Sequence, residues 1–98
     1  MASYDITMEA REDLYKIWEY TFDKWSEEQA DKYYAILEHS FSEIAEDPAN
    51  HGKAYDEISP GLRAIHVRRH MVFFVVQANG KVLIVRVLHG RMDYARHF

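Results

Sequence analysis

After residue 62 the chain carries Arg63, Arg68, Arg69, His70, Arg86, His89, Arg91, Arg96 and His97, and almost nothing to neutralise them. Guanidinium groups are planar, permanently charged donors whose fork matches phosphate and carboxylate, so side chains of this type brought together form an anion-binding surface. The division of charge is sharp. Residues 1–59 hold five Lys or Arg against fifteen Asp or Glu, a net −10, whereas residues 60–98 hold seven against Asp93 alone, a net +6. Such asymmetry in a short chain points to an anionic partner, either nucleic acid or an acidic protein face. Attraction between the two halves is the other reading, weakened by screening beyond a Debye length of about 8 Å. Base-stacking aromatics are scarce in the basic half: Phe73, Phe74, Tyr94 and Phe98, the first two expected in the core. Free nucleic acid is therefore the weaker partner.

Histidine offers a second chemistry. His66, His70, His89 and His97 all lie in the basic half, but six neighbouring arginines and one carboxylate repel a dication, and His66-x-x-x-His70 falls on a strand and turn rather than a helix. No metal site is expected. His89 is a candidate general acid or base for phosphodiester cleavage with arginines stabilising charge, set against a structural histidine at a strand end. The serines lack a nucleophile-elbow context, and four scattered glycines make no phosphate loop, so no cofactor is expected. The chain has no cysteine, which excludes disulfides, thiolate zinc and thiol catalysis.

The elements that must position these groups follow from periodicity. Ser3–Thr7 suits a short strand, and Thr7 is an N-cap with Glu9, Glu12 and Asp13 near the positive helix end. Ala10, Leu14, Ile17, Trp18, Thr21, Phe22 and Trp25 then trace one face of a helix and are expected in the core. Ser26-Glu27-Glu28-Gln29 is a capping box opening a second helix, whose stripe is Ala30, Tyr33, Tyr34, Leu37, Phe41, Ile44 and Ala45, and which Pro48 ends. Residues 49–61 read as a connecting loop. Leu62–Arg69 and Met71–Gln77 read as strands, followed by a type I′ turn at Asn79-Gly80 and a last strand, Val82–Leu88. Alternation puts Leu83, Val85 and Val87 against the helices and Arg86 on the open face, joined there by His66 and Arg68. The strand from Met71 is apolar on both faces, so its second face either receives a partner segment or lies under Met92–Phe98.

At 98 residues a single domain, 1–98, with one core is expected. Its class is α+β: an N-terminal strand and an antiparallel helical hairpin packed on a small, mainly antiparallel sheet. Met1-Ala2-Ser3-Tyr4-Asp5 has no basic run or apolar core and is not read as a signal peptide, and the longest apolar run, Met71–Val76, is far too short to span a membrane. The expected setting is cytoplasmic.

Gly61-Leu62-Arg63, Arg69-His70 opening an apolar strand, and above all Leu88-His89-Gly90-Arg91-Met92-Asp93 with Arg96-His97 beyond resemble the ParE toxins of the RelE/ParE toxin-antitoxin superfamily. The likeness extends over Ala10, Asp13-Leu14, Ile17, Gln29-Ala30, Tyr33 and Pro48, almost the whole chain. It implies a helical hairpin on a small antiparallel sheet, a cognate ParD-like antitoxin, and inhibition of DNA gyrase without a small-molecule substrate. Target contacts are then expected from Arg63, Arg68, Arg69, Arg86, His89, Arg91, Asp93 and Arg96. From the antitoxin an extended, partly helical segment is expected across the apolar surfaces, its acidic residues meeting the arginines. The superfamily's other branch cleaves mRNA on the ribosome, and Arg86, His89 and Tyr94 keep that alternative open. Nuclease members commonly carry an arginine just inside the third strand, where this chain has Met71. Loss of that transition-state contact disfavours cleavage.

Overall fold

The computed structural model describes residues 3–98. Strand β1 (Tyr4–Ile6) leads into helix α1 (Met8–Lys24), α2 (Glu27–Glu46), a 3-10 turn (Pro48–Asn50), β2 (Lys53–Ala54), β3 (Arg63–Val67), β4 (His70–Val76), β5 (Val82–His89) and a second 3-10 turn (Tyr94–His97). The five strands form one sheet in the order β1-β5-β4-β3-β2; β1 runs parallel to β5 and the other pairs are antiparallel. Two helices packed on a mixed sheet make this an α+β fold.

The helix starts follow local chemistry. Thr7 Oγ1 accepts the Ala10 N–H at 3.0 Å and Ser26 Oγ the Gln29 N–H at 3.1 Å, each satisfying a donor that the first turn leaves without a partner. The α2 stripe packs as its spacing dictates, with Ala30, Leu37, Phe41 and Ile44 buried. On α1 the outcome differs. Ala10 and Leu14 are buried and Ile17 packs beside them, but Phe22 and Trp25 are 43% and 71% exposed. Periodicity marks which face of a helix is apolar, not how far the layer beneath it extends.

Both faces of the sheet are covered. Val72, Phe74, Val82, Ile84 and Val87 meet the helices, whereas Phe73, Leu88, Ala64 and Leu62 form a second cluster on the other side with Met71, Val75, Val85, Tyr55, Ile58 and Tyr94. The expectation that Leu83, Val85 and Val87 share the helix side holds only for Val87. A bulge sits where Phe73 pairs with Arg86 but the next residue, Phe74, pairs with Ile84, leaving Val85 as the extra residue. One inserted residue exchanges the two faces, so Val82 and Ile84 face the helices before the bulge and Val87 after it.

The segment expected to be a plain connection is built. It contains β2 and a wound turn in which Tyr55 N–H bonds Leu62 O, Ser59 N–H bonds Tyr55 O, and Asp56 Oδ1 accepts the Gly61 N–H. The β4–β5 hairpin is present, but its loop is not a two-residue type I′ turn. Gln77 O accepts the Gly80 N–H, Gly80 alone has positive φ (85°), and the Asn79 carboxamide accepts the Lys81 N–H, so three residues close the loop.

Gly52 has φ 78°, and a Cβ there would meet Ala64 O at 2.6 Å. Gly52→Ala is expected to cost about 1–3 kcal/mol through left-handed strain and displacement of β3. A lowered urea midpoint with unchanged slope checks it; an unchanged midpoint would show that the close approach is not maintained in solution.

Candidate functional site at the basic end of the sheet

The arginines do not act as one group. Beyond Ile84, β5 has no strand on its outer side, because β1 ends there. The start of α1 takes that role: Thr7 N–H bonds Ile84 O at 3.0 Å, Thr7 Oγ1 donates to Val85 O at 2.7 Å, and Asp13 Oδ2 accepts the Val87 N–H at 3.0 Å. The same carboxylate takes Arg86 in a fork, Nε to Oδ2 and Nη2 to Oδ1, both 2.8 Å, while Arg86 Nη1 donates to His97 O at 3.2 Å. Arg86 pairs with Phe73 on the face away from the helices, as alternation implied, but its guanidinium turns around the sheet edge. Hydrogen bonding to Asp13 raises its pKa, so it is held charged and fully engaged.

Arg63 is similarly committed. Its Nε and Nη2 donate to His51 O and Nη2 also to Gly52 O, which fastens the approach to β2 onto β3. Lys81 pairs with Asp5 at 3.0 Å. Attraction between acidic and basic halves thus accounts for Lys81 and Arg86. Among the described residues, Arg68, Arg69, Arg91 and Arg96 form no ion pair.

Three of these four meet at one end of the sheet. Arg68 and Arg69 are the two-residue turn between Val67 and His70, which pair with each other, and Arg91 follows the end of β5. Gly90 N–H bonds Arg69 O at 2.9 Å, which ties the β5 exit to that turn, and a Cβ at Gly90 would lie 3.9 Å from His66 Nε2. His66 is therefore beside the cap, as its register implied. Arg68 sits at φ 57°, a left-handed conformation that costs a non-glycine residue about 1 kcal/mol. Asp93 and Arg96 belong to the tail, where Asp93 O accepts the Arg96 N–H and the short 3-10 turn is folded back on the sheet.

Beneath the cap lies an arrangement that sequence reasoning missed. Tyr33, assigned simply to the α2 core stripe, reaches across the layers. Its Oη accepts the Arg69 N–H at 3.2 Å and lies 2.6 Å from His70 Nδ1. Tyr33 Oη and His70 Nδ1 share a hydrogen bond whose donor is set by the imidazole tautomer. Burial, then the nearby His89 ring 5.5 Å away, lowers the His70 pKa to about 4, with Asp13 acting against them. His70 is thus held neutral near pH 7 and, hydrogen-bonded to Tyr33, helps to hold the turn. The His89 Nδ1 accepts the Arg91 N–H at 3.2 Å, so this exposed ring braces the chain leaving β5. Among the described residues no three His, Asp or Glu side chains are placed to hold a metal ion.

The open sheet face, expected to be part of the working surface, is closed by its own chain. Phe98 and Tyr94 both pack on Phe73 with ring centroids 5.1 Å apart, Tyr55 adds a 5.6 Å contact, and Tyr94 Oη donates to Gly90 O. Met71 packs into this cluster rather than facing solvent beside the arginines. The accessible basic surface is the sheet end, not the sheet face.

A hairpin of helices packed on such a sheet is a fold shared with chains of two solved toxin-antitoxin systems. It superposes with a TM-score of 0.79 on a chain of the chromosomal ParDE toxin-antitoxin system of P. aeruginosa (20% identity, 91% of this chain and 96% of that one), and 0.66 on one of the Mycobacterium tuberculosis RelBE2 toxin-antitoxin complex (20% identity, 90% and 96%). The profile of the ParE toxins of type II toxin-antitoxin systems matches residues 4–94. Toxin ParE1 of M. tuberculosis H37Rv is 38% identical over 96% of this chain and 95% of its own length, and toxin ParE of Escherichia coli is 37% identical over 95% and 89%. The chain belongs to the ParE toxin family.

Asp13→Asn is expected to lower stability by about 3 kcal/mol, since Asp13 and Arg86 side chains are only 12% and 20% exposed and the substitution leaves a sequestered cation unmatched. A denaturant midpoint equal to wild type would refute a supporting role for the pair. A second expectation concerns pH. Because folding lowers the His70 pKa from 6.5 to about 4, the unfolded chain binds this proton more readily between those values, and stability falls as pH falls through that window. The contribution is roughly 1 kcal/mol once partial exposure is allowed for. His70→Gln should flatten that part of the stability profile; an identical profile would contradict the assignment.

Proposed function

We propose that this toxin inhibits DNA gyrase without cleaving nucleic acid, blocking replication in the cytoplasm, and that a ParD-like antitoxin neutralises it. The observation that carries the reading is the cap: Arg68, Arg69 and Arg91 are permanently charged, unpaired among the described residues, and held at one sheet end by Tyr33 and the Gly90–Arg69 bond. Arg68 takes the positive φ that the first position of a two-residue hairpin loop demands, a position that glycine would fill without strain. Arg96 and Asp93 border this surface from the tail, and His89 from the β5 exit, so all three remain candidates for target contact. Arg63 and Arg86, both committed to internal acceptors, support the surface instead.

The same geometry weighs against ribosome-dependent mRNA cleavage. That reaction needs a mobile proton carrier beside a free guanidinium. Here burial and the neighbouring His89 hold His70 neutral, Asp13 holds Arg86, and Met71 is packed where nuclease members commonly carry arginine. The antitoxin reading draws support from the structural neighbours, which are toxin-antitoxin systems.

Supercoiling and DNA-cleavage assays with purified gyrase test the proposal. Wild-type toxin is expected to stop turnover and accumulate cleaved DNA. Arg68→Gly is expected to raise thermal stability slightly by relieving positive φ, yet weaken inhibition several-fold, with a larger loss when Arg69→Ala and Arg91→Ala are added. Normal gyrase turnover at excess toxin, or primer-extension stops on ribosome-bound mRNA that vanish in His89→Ala, would overturn it.

A further inference from the structure

The cap has no counterion within the chain, and its own chemistry narrows what could supply one. Arg68, Arg69 and Arg91 are exposed, and none forms an ion pair among the described residues. Asp93 is the only carboxylate after residue 60, and Asp13, the acid that α1 contributes, is spent on Arg86 and the Val87 N–H. The backbone beneath the three arginines is fixed. Arg69 N–H donates to Tyr33 Oη at 3.2 Å, Gly90 N–H to Arg69 O at 2.9 Å, and Arg91 N–H to His89 Nδ1 at 3.2 Å. Because that last bond occupies Nδ1 as an acceptor, the exposed His89 ring carries its proton on Nε2 and adds a fourth outward donor.

Nucleic-acid bases are held by stacking on free aromatic rings or by the paired donors and acceptors of Asn and Gln. Neither is present at the cap. Phe73 is buried, Tyr94 and Phe98 are packed on it, and Tyr94 Oη is bound to Gly90 O. Gln77 bonds Asp5 and Lys81 at the other end of β4, and Asn79 bonds the Lys81 N–H in its own loop. An anion met here is therefore read through its charge, not through a base. Its carrier must also match the charge density of guanidiniums on two successive turn residues with a third beside them. A DNA duplex presents one charge per about 1.7 Å of its axis, whereas carboxylates crowded to that density on a folded protein repel one another.

The geometry points to the phosphate backbone of duplex DNA as the ligand of this cap, gripped without regard to sequence by Arg68, Arg69 and Arg91 with His89 beside them. The inference rests on the gyrase reading, in which DNA is already part of the complex, and names what the cap touches there. The acidic layer sets the pose. Residues 1–59 carry a net −10, so a duplex is repelled from the helical side and met end-on by the sheet tip. About three phosphates are neutralised in that pose, too few for a chain of net charge −4 to capture free DNA tightly. The contact is weak alone and becomes effective when a second protein holds the DNA in place, because the cap then meets it at a high local concentration.

A short mixed-sequence DNA duplex, titrated into isotope-labelled toxin with no gyrase present, tests this, since amide chemical shifts report weak binding residue by residue. Expected are shifts centred on Arg68, Arg69, Gly90 and Arg91, equal affinity for a duplex of shuffled sequence, and an affinity that falls about 40-fold between about 50 and 200 mM salt. Arg68→Gln, Arg69→Gln and Arg91→Gln are each expected to reduce the slope of log affinity against log salt by about 1, whereas Lys16→Gln on the helical layer leaves it unchanged. No shift at low salt, a slope unaltered by the cap variants, or equally tight binding of a single strand overturns the inference. If the same variants nevertheless lose gyrase inhibition, an acidic protein face replaces DNA as the ligand. Normal gyrase turnover with toxin that does bind the duplex rejects the gyrase reading and leaves the DNA contact standing.

Discussion

The Asp13 carboxylate is the point on which the two layers depend. β5 pairs with both β1 and β4, and past Ile84 its outer edge would face solvent with unmatched backbone groups. A helix cannot complete a β-ladder with its own amides, since those are spent internally, so side chains must do it. Thr7 and Asp13 supply them. Asp13 adds the forked contact with Arg86, whose remaining nitrogen reaches the His97 carbonyl, and one carboxylate thereby connects helix, strand edge and tail.

The bulge at Val85 makes this geometry available. Without it, the side chains after Ile84 would keep alternating and Val87 would leave the helix-facing core. With it, Val87 packs inward and presents its N–H to Asp13, and Arg86 is left on the other face close enough to the edge to wrap around it. Gly52 plays a matching part at the far side of the sheet, where only a residue without a side chain allows the backbone to approach Ala64, and Arg63 locks that approach.

Function follows from which charges remain after the fold has used its share. Two cations of the basic half are matched by acids of the other half and one by backbone carbonyls, all inside the structure. The arginines that remain are concentrated at the β3–β4 turn and the β5 exit, and the turn is anchored by a tyrosine from the opposite layer. A basic cap on an acidic scaffold gives the molecule two faces of opposite sign, suited to one partner at each or to one partner that spans both.

Much of this was legible in the residues. The two helix N-caps, the Pro48 stop, the α2 stripe, the hairpin glycine and the period-two strands are local signals, because they depend on neighbours a few residues apart, and the motif around His89 pointed to the family. Three things were not legible. The reach of the core under α1 depends on where another layer ends, so Phe22 and Trp25 looked buried. The bulge depends on the register in which β4 and β5 pair, so the faces of β5 were exchanged before it. The use of Arg63 and Arg86 depends on acceptors from residues 51 and 13, so a count of arginines overstated the free surface. Sequence alone determined the two helices, the first strand, the last three strands, their order and the sign of each half, but not β2, which lay in a segment read as a loop. Only the tertiary structure decided which charges are spent and which are left to meet a partner, because desolvation and pairing are properties of groups brought together across the fold.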